Sequence, residues 1–260
     1  MNKVLMVLAV LALAGCATEP AATARKSDKP AIVFVCAHPD DTEGFAGTAF
    51  LLRDKYDIHI VDLTTGEYGL GEKGWKDGST AKIRRAEEER ACAFLGATPH
   101  FLGEVDAPGE CHASKRATDR LIAIMEELRP VALFTHWPLD THPDHVQAAA
   151  VAAQARASAR FKPHGFQYYF YEVVPGETQQ FLPLYSIDIT STIDRKLEML
   201  RMYACQNEND ALAKEKKEQA SRRGAERRPS VPYAEVFTTI NGKPCKRGLL
   251  HALPEAALVR

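Results

Sequence analysis

The chain has 260 residues, 45% of them hydrophobic and 26% charged, with a formal net charge of -1. That length and apolar content suffice for one sizeable core. The near-neutral balance, with no long basic stripe before the late chain, argues against a nucleic-acid partner or an acidic polymer.

In chain order, the first stretch stands apart. Lys3 is the only charge before Glu19, and residues 4–14 are apolar. A short basic start, an apolar run too short to span a bilayer comfortably and then small residues form a signal-peptide pattern. Leu13-Ala14-Gly15-Cys16 resembles a bacterial lipobox. That resemblance implies a signal peptide over residues 1–15, lipidation of Cys16 and a chain anchored to the membrane by its lipid rather than by a spanning helix. Ala17 after the cysteine implies sorting to the outer membrane, facing the periplasm. Residues 16–30, rich in Ala, Lys and Pro, read as a tether, and residues 31–260 as a single domain.

Residues 31–37 read as a buried strand, 43–55 as a helix and 57–64 as a second, β-branched strand. A glycine-rich loop follows over 66–74 and contains Glu67; Trp75 beyond it reads as a sugar-stacking platform or as plain packing. The loop lacks GK[ST], so it is not a phosphate-cradling P-loop. A helix from Ser79 or Thr80 to Leu95 ends at Gly96, residues 100–102 read as a short third strand, and residues 115–128 form an amphipathic helix stopped by Arg129-Pro130. Residues 131–135 are the fourth strand, and Pro143 opens a helix with Val146, Ala149, Ala150 and Ala153 on one stripe. Strands at 167–174 and 185–190, a helix at 191–205 and a strongly charged helix or loop at 207–228 complete the reading; the last is most simply solvated. Five cysteines follow Cys16 without a CxxC pair; Cys36 and Cys92 read as packed thiols, and one disulfide could come from Cys111, Cys205 and Cys245.

The alternation predicts an α/β fold: a Rossmann-like, doubly wound, mostly parallel sheet with helices on both faces. In strand order 3-2-1-4-5, strands one and four are neighbours, and the crevice at their carboxyl ends is the usual ligand site. Two short segments end at that crevice. His38-Pro39-Asp40-Asp41 follows strand one, and His142-Pro143-Asp144-His145 follows strand four.

Zinc takes imidazole nitrogen and carboxylate oxygen at roughly 2.0–2.2 Å, and a catalytic site keeps three protein ligands plus an open position. His38, Asp41 and His145 would make such a set. Two neutral imidazoles and one carboxylate leave a residual positive charge that acidifies bound water. Asp40, adjacent to Asp41 but diverging from it, can take the water's proton. His142 would stand over the open position, where it steadies an oxyanion or protonates a leaving amine. Asp144 would hold His142 in one tautomer. His136, Asp140, Glu67 and Arg84 are candidates for substrate contact or for supporting the ligands.

The two motifs, Ala37-His38-Pro39-Asp40-Asp41 and Thr141-His142-Pro143-Asp144-His145, resemble those of the PIG-L/LmbE-like zinc N-deacetylases. Thr65-Gly66-Glu67, Ile83-Arg84-Arg85-Ala86-Glu87, the trio Lys196, Tyr203 and Gln206, and Tyr233-Ala234-Glu235-Val236-Phe237 agree with it, so that the likeness spans residues 31–237. The resemblance implies a Rossmann-like fold and removal of an N-acetyl group, typically from glucosamine, as a small molecule or glycan. It implies zinc on His38, Asp41 and His145, Asp40 as base, and His142 paired with Asp144. Another divalent metal fits the same ligands. Deacylation of another N-acyl substrate (an antibiotic, thiol conjugate or acyl-amino acid) and a catalytically silent binding lipoprotein remain as alternatives.

Overall fold

The computed structural model describes residues 28–106, 110–158, 165–245 and 248–259. The expected signal peptide, Cys16 and most of the expected tether fall outside the described residues.

The sheet is built outward from β1 (Ala31–Cys36), whose six residues are all buried. A strand covered on both faces needs apolar side chains in both directions, which is why its sequence is continuous rather than alternating. Ile32, Phe34 and Cys36 join one core cluster, and Val33, Val35 and Ala37 the other. β1 pairs in parallel with β2 (Asp57–Asp62) and with β4 (Ala132–His136). β3 (Ala97–Phe101) lies outside β2, and β5 (Gln167–Tyr171) beyond β4, both parallel. The eight-stranded order is β3-β2-β1-β4-β5-β7-β6-β8, where β6 (Tyr185–Asp188), β7 (Ala234–Thr238) and β8 (Ala256–Leu258) are antiparallel. The parallel part thus has the expected order, with the switch point between β1 and β4.

Helices cover both faces. On one lie α1 (Ala46–Leu52), α3 (Ser79–Leu95), α6 (Ile193–Leu200) and α7 (Ala211–Glu226). There Phe34 stacks between Phe45 and Phe134, with centroids 4.1 and 4.4 Å away. On the other face lie α4 (Lys115–Leu128) and α5 (Pro143–Ala157). Their boundaries follow local chemistry. The Ser114 hydroxyl accepts from the Ala117 N–H to open α4, and Gly96 closes α3 in the left-handed conformation, φ 81°.

Several boundaries differ from the sequence reading. The helix expected over 43–55 is a short 3-10 turn, Asp41–Gly44, and then α1, because Phe45 at φ −147° breaks the regular path. β3 begins three residues earlier than expected. The glycine loop contains a two-turn helix, α2 (Gly71–Asp77). The charged segment 207–228 is mostly α7, and it is not simply solvated. Ala213, Lys216, Ala220 and Gly224 form a buried stripe of mostly small side chains, which lets Lys216 reach the interior. Cys36, Cys92, Cys111, Cys205 and Cys245 are all free thiols. No helix among the described residues is long and apolar enough to cross a membrane.

Candidate active site

Asp41 sits on the first 3-10 turn after β1, and its carboxylate folds back on that turn. Oδ2 accepts the backbone N–H groups of Ala37 and His38, each at 2.8 Å, and lies 3.1 Å from His136 Nε2. Oδ1 is thereby left facing His145 Nε2 at 3.4 Å. His38 Nδ1 lies 3.8 Å from Asp41 Oδ2. Ligand atoms about 2.1 Å from one tetrahedral ion stand about 3.4 Å apart, which is the separation of Asp41 Oδ1 from His145 Nε2.

α5 supplies the opposite wall. Pro143 occupies its first turn, and the ring Nδ1 of His142 accepts the Asp144 N–H at 3.3 Å. His142 and His145, one turn apart, stack at 4.5 Å, and His145 stacks on His136 at 4.2 Å. Nitrogens of His38, His142 and His145 all lie within 4.8 Å of one another. Atoms of Asp41, His136 and His145 meet the same limit, as do atoms of His38, Asp106 and Asp144.

The electrostatics ask for a cation at this point. Burial disfavours a charge on His145, but Asp41 and Asp140 outweigh it and lift its pKa to about 10. Burial likewise works against the Asp41 carboxylate, yet the imidazoles of His136 and His145 hold it well below the usual range. His136 is driven the other way, to about 4, by burial and by the neighbouring His145. Nitrogen and carboxylate donors in such a field fit a divalent ion; among the described residues the sets that gather here are His38 with His142 and His145, and Asp41 with His136 and His145.

Asp40 faces away from that cluster. Its Oδ1 accepts from Arg84 Nη2 at 2.9 Å, and its backbone is left-handed, φ 100°. Burial raises its pKa and Arg84 opposes the rise. The adjacent carboxylates therefore have separate surroundings, as two different tasks require.

Two sequence expectations need correction, those for Asp144 and Glu67, while His136 and Asp140 take the supporting places that the sequence left open beside substrate contact. The Asp144 carboxylate bonds His38 Nε2 at 3.0 Å, not the ring of His142, because the helix start turns its side chain toward β1. Glu67 does not reach the cavity through its acid group: Oε2 accepts from Thr65 and Oε1 from the Asp106 N–H, which ties two loops together. His136 is 1% exposed behind Asp41, so it supports the cluster rather than contacting substrate. Asp140 likewise orients α5, with Oδ1 3.3 Å from His145 Nδ1 and 2.8 Å from the His142 N–H that it accepts. Arg84 does line the cavity, although Nη2 is occupied by Asp40 and the Pro39 carbonyl. Trp75 packs edge-on against Tyr68.

The cavity, about 320 Å³, is also bordered by Glu43, Tyr68, Asp106, Val173, Glu177 and Gln206. Most of these follow a strand's carboxyl end, so the topology was the available signal for Asp106 and Glu177. Nothing in the sequence marked Glu43, whose pKa burial pushes up to about 7 against the pull of Lys216.

A doubly wound α/β sheet with a histidine–carboxylate cluster at its switch point defines the class. The family model described as GlcNAc-PI de-N-acetylase, PIG-L, matches residues 33–156. A 4-oxalmesaconate hydratase of Pseudomonas putida KT2440 is 31% identical over 194 residues, 68% of this chain and 74% of the hydratase. A 1D-myo-inositol 2-acetamido-2-deoxy-alpha-D-glucopyranoside deacetylase of Thermomonospora curvata is 33% identical over 165 residues, 52% of this chain and 54% of the deacetylase. Among solved structures, a 4-carboxy-2-hydroxymuconate hydratase from Pseudomonas putida KT2440 superposes with a TM-score of 0.72 at 26% identity, over 85% of this chain and 99% of that one. The chain belongs to the PIG-L/LmbE-like family. It spans about half the length of the curated deacetylase relatives it matches.

Proposed function

We propose that this protein is a metal-dependent N-deacetylase of an N-acetylglucosamine-type amino sugar or glycoconjugate. The observation that carries the reading is the gathering of His38 and Asp41 from one motif with His142 and His145 from the other, with Asp40 held apart by its own partner. Zinc, or another divalent ion, when bound there supplies the positive charge that polarises an acyl carbonyl and acidifies water. Asp40 accepts the proton of the attacking water through the oxygen that Arg84 leaves free. His142, at the positive end of α5, faces the oxyanion as a hydrogen-bond donor, and the proton that Asp40 takes up returns to the departing amine. Asp140 holds the α5 histidines in place. The balance is amide plus water to amine plus acetate.

The hydratase relatives give a second reading, addition of water to a carboxylate substrate. The cavity disfavours it. Asp40, Asp41, Glu43, Asp106 and Glu177 border it, and the one arginine or lysine among its lining residues, Arg84, is engaged by Asp40. With Arg84 so engaged, no lining arginine or lysine is left to pair with the carboxylates of such a substrate, and a neutral amide needs none. The test is to incubate zinc-loaded protein with N-acetylglucosamine, N,N'-diacetylchitobiose, acyl-amino acids and 4-oxalmesaconate. Amine release from the sugars is expected; hydration without amine release would overturn the reading.

The lipobox-like Leu13-Ala14-Gly15-Cys16 supports a further part of the proposal, a protein tethered by lipid at the bacterial envelope, outer membrane facing periplasm. Metabolic labelling with a palmitate analogue that persists in Cys16→Ala would contradict it.

A further inference from the structure

The two ends of β1 face different things. His38 and most of the other cavity residues follow its carboxyl end and those of β2, β4 and β5. The expected tether joins its amino end. We propose that the cavity opens away from the membrane that anchors the chain, so that its substrate is an amino sugar of the aqueous phase, free or polymer-borne, and not the headgroup of a lipid in that membrane. The proposal rests on the reading of Cys16 as the lipidated residue and of the cavity as the N-deacetylase site.

Three observations carry it. First, the chain is pinned where it enters the domain. The Lys29 ammonium donates to the Arg53 carbonyl at 2.9 Å, and the Pro30 carbonyl accepts the Asp57 N–H at 3.1 Å. The Ala31 carbonyl accepts the Val131 N–H at 2.8 Å, just before β4. Residues 29–31 are therefore held at the amino ends of β1, β2 and β4, and only residues 16–28 are left to reach the lipid. Drawn fully straight, that length covers at most about 47 Å. Second, the domain is too large to turn over on such a length. β1 alone puts about 20 Å between the pinned end and the cavity, and a domain of about 230 residues packs into a body of roughly 22 Å radius. With the cavity mouth against the bilayer, the pinned end would stand at the far pole. A chain leaving it would need a quarter-turn over the surface and then a descent of one radius, about 57 Å. Residues 16–28 fall short of that even without slack. Third, the cavity offers little to a lipid. Val173 and Val174 are the only aliphatic side chains among its lining residues, so acyl chains drawn up with a headgroup would lose the bilayer and meet polar groups instead.

The experiment places the full-length lipoprotein in vesicles of phosphatidylethanolamine and phosphatidylglycerol, with the domain outside. A fluorescent side chain replaces either Lys55, exposed beside the pinned entry, or Leu70, 48% exposed and next to the cavity-lining Gly69. Energy transfer to a dye-labelled lipid is then measured. Transfer from position 55 is expected to exceed that from position 70 at least about threefold, since β2, about 20 Å long, lies between them. Inserting about twenty Gly and Ser residues after Ala22 adds about 60 Å of reach and should bring the two positions within about twofold. Equal transfer from the two positions on the native length, or stronger transfer from position 70, would overturn the proposal. The same vesicles then receive the N-acetylated sugar that the wild type turns over, free or carried on a diacylglycerol in the vesicle membrane. The native length should hydrolyse the lipid-linked sugar at least about tenfold more slowly than the lengthened one, with the free sugar within about twofold for both. Equal rates on the lipid-linked sugar at the two lengths would also overturn it. If Cys16 takes up no lipid label, the envelope reading fails and the orientation falls with it; if it is labelled and transfer is equal, the orientation alone fails. If the wild type releases amine from no N-acetyl compound, the deacetylase reading fails by itself, and energy transfer still decides the orientation.

Discussion

The two halves of the sheet divide the work. The parallel half, β3-β2-β1-β4-β5, delivers every candidate ligand and proton carrier from loops at strand ends. The antiparallel half, β7-β6-β8 with α6 and α7, delivers none of them and instead braces the first half from behind with charge. Lys216 on α7 is 1% exposed and donates to Glu43 at 2.8 Å and to the Val173 carbonyl at 2.9 Å. Lys196 on α6 donates to Glu235 at 2.8 Å, and Glu235 in turn accepts the N–H groups of Gly47 and Thr48 at the start of α1. Arg223 grips Glu172 at the end of β5 at 2.6 Å. Buried pairs of this kind add little net stability over an apolar core, but breaking one strands a charge. The lesson is that the cluster is shaped in one half and held in register by the other.

Substitutions in the two halves should therefore fail differently. The largest effect is expected from Asp41→Ala or His145→Ala: zinc is lost and activity falls by about 10³-fold or more, read by metal analysis and turnover. Next, Asp40→Asn should keep its zinc and lose about 10²- to 10⁴-fold in kcat; full activity with bound metal would remove Asp40 as the base. In the other half, Lys216→Met should cost about 3–5 kcal/mol of unfolding free energy with little change in metal affinity, and Glu43→Gln in the same protein should restore part of it.

A smaller effect concerns pH. Burial pushes Glu88, beneath the site and within reach of the Tyr203 and Cys92 donors, up to about 7. A carboxyl whose folded pKa lies above its unfolded value near 4.5 binds its proton more tightly in the folded state. Its contribution is full below about pH 4.5 and is lost as pH rises toward 7. Denaturation at both pH values should show the wild type losing stability relative to Glu88→Gln across that window, by no more than about 3 kcal/mol. An equal slope in both proteins would reject the assignment. The smallest effect is expected from Glu177→Gln at the cavity border: about a twofold gain in kcat/KM for a carboxylate-bearing acyl-amino acid, at the level of a partly exposed charge.

The same division explains what the sequence disclosed. In the parallel half, strands covered on both faces read as apolar runs, and the chemistry sits in adjacent letters, His38 to Asp41 and His142 to His145. Topology alone then brings them together. The brace was illegible because its members are far apart in the chain and each resembles an ordinary surface charge. Lys216 lies in a segment with Lys214, Lys217, Arg222 and Arg223, and only tertiary packing singles it out. Within the site, motif spacing indicated which residues would gather but not where their side chains would turn. Asp144 reaches across to His38, and Glu67 closes a loop, because those partners depend on helix and loop geometry that spacing does not encode.

The most direct test of the central claim is anomalous diffraction at the zinc edge from crystals of the metal-loaded protein. The account predicts one peak bound by His38, Asp41 and His145, with the Asp40 carboxylate beside Arg84 and off the metal. A peak held instead by His38, Asp106 and Asp144, or a lone peak coordinated by Asp40, would contradict it.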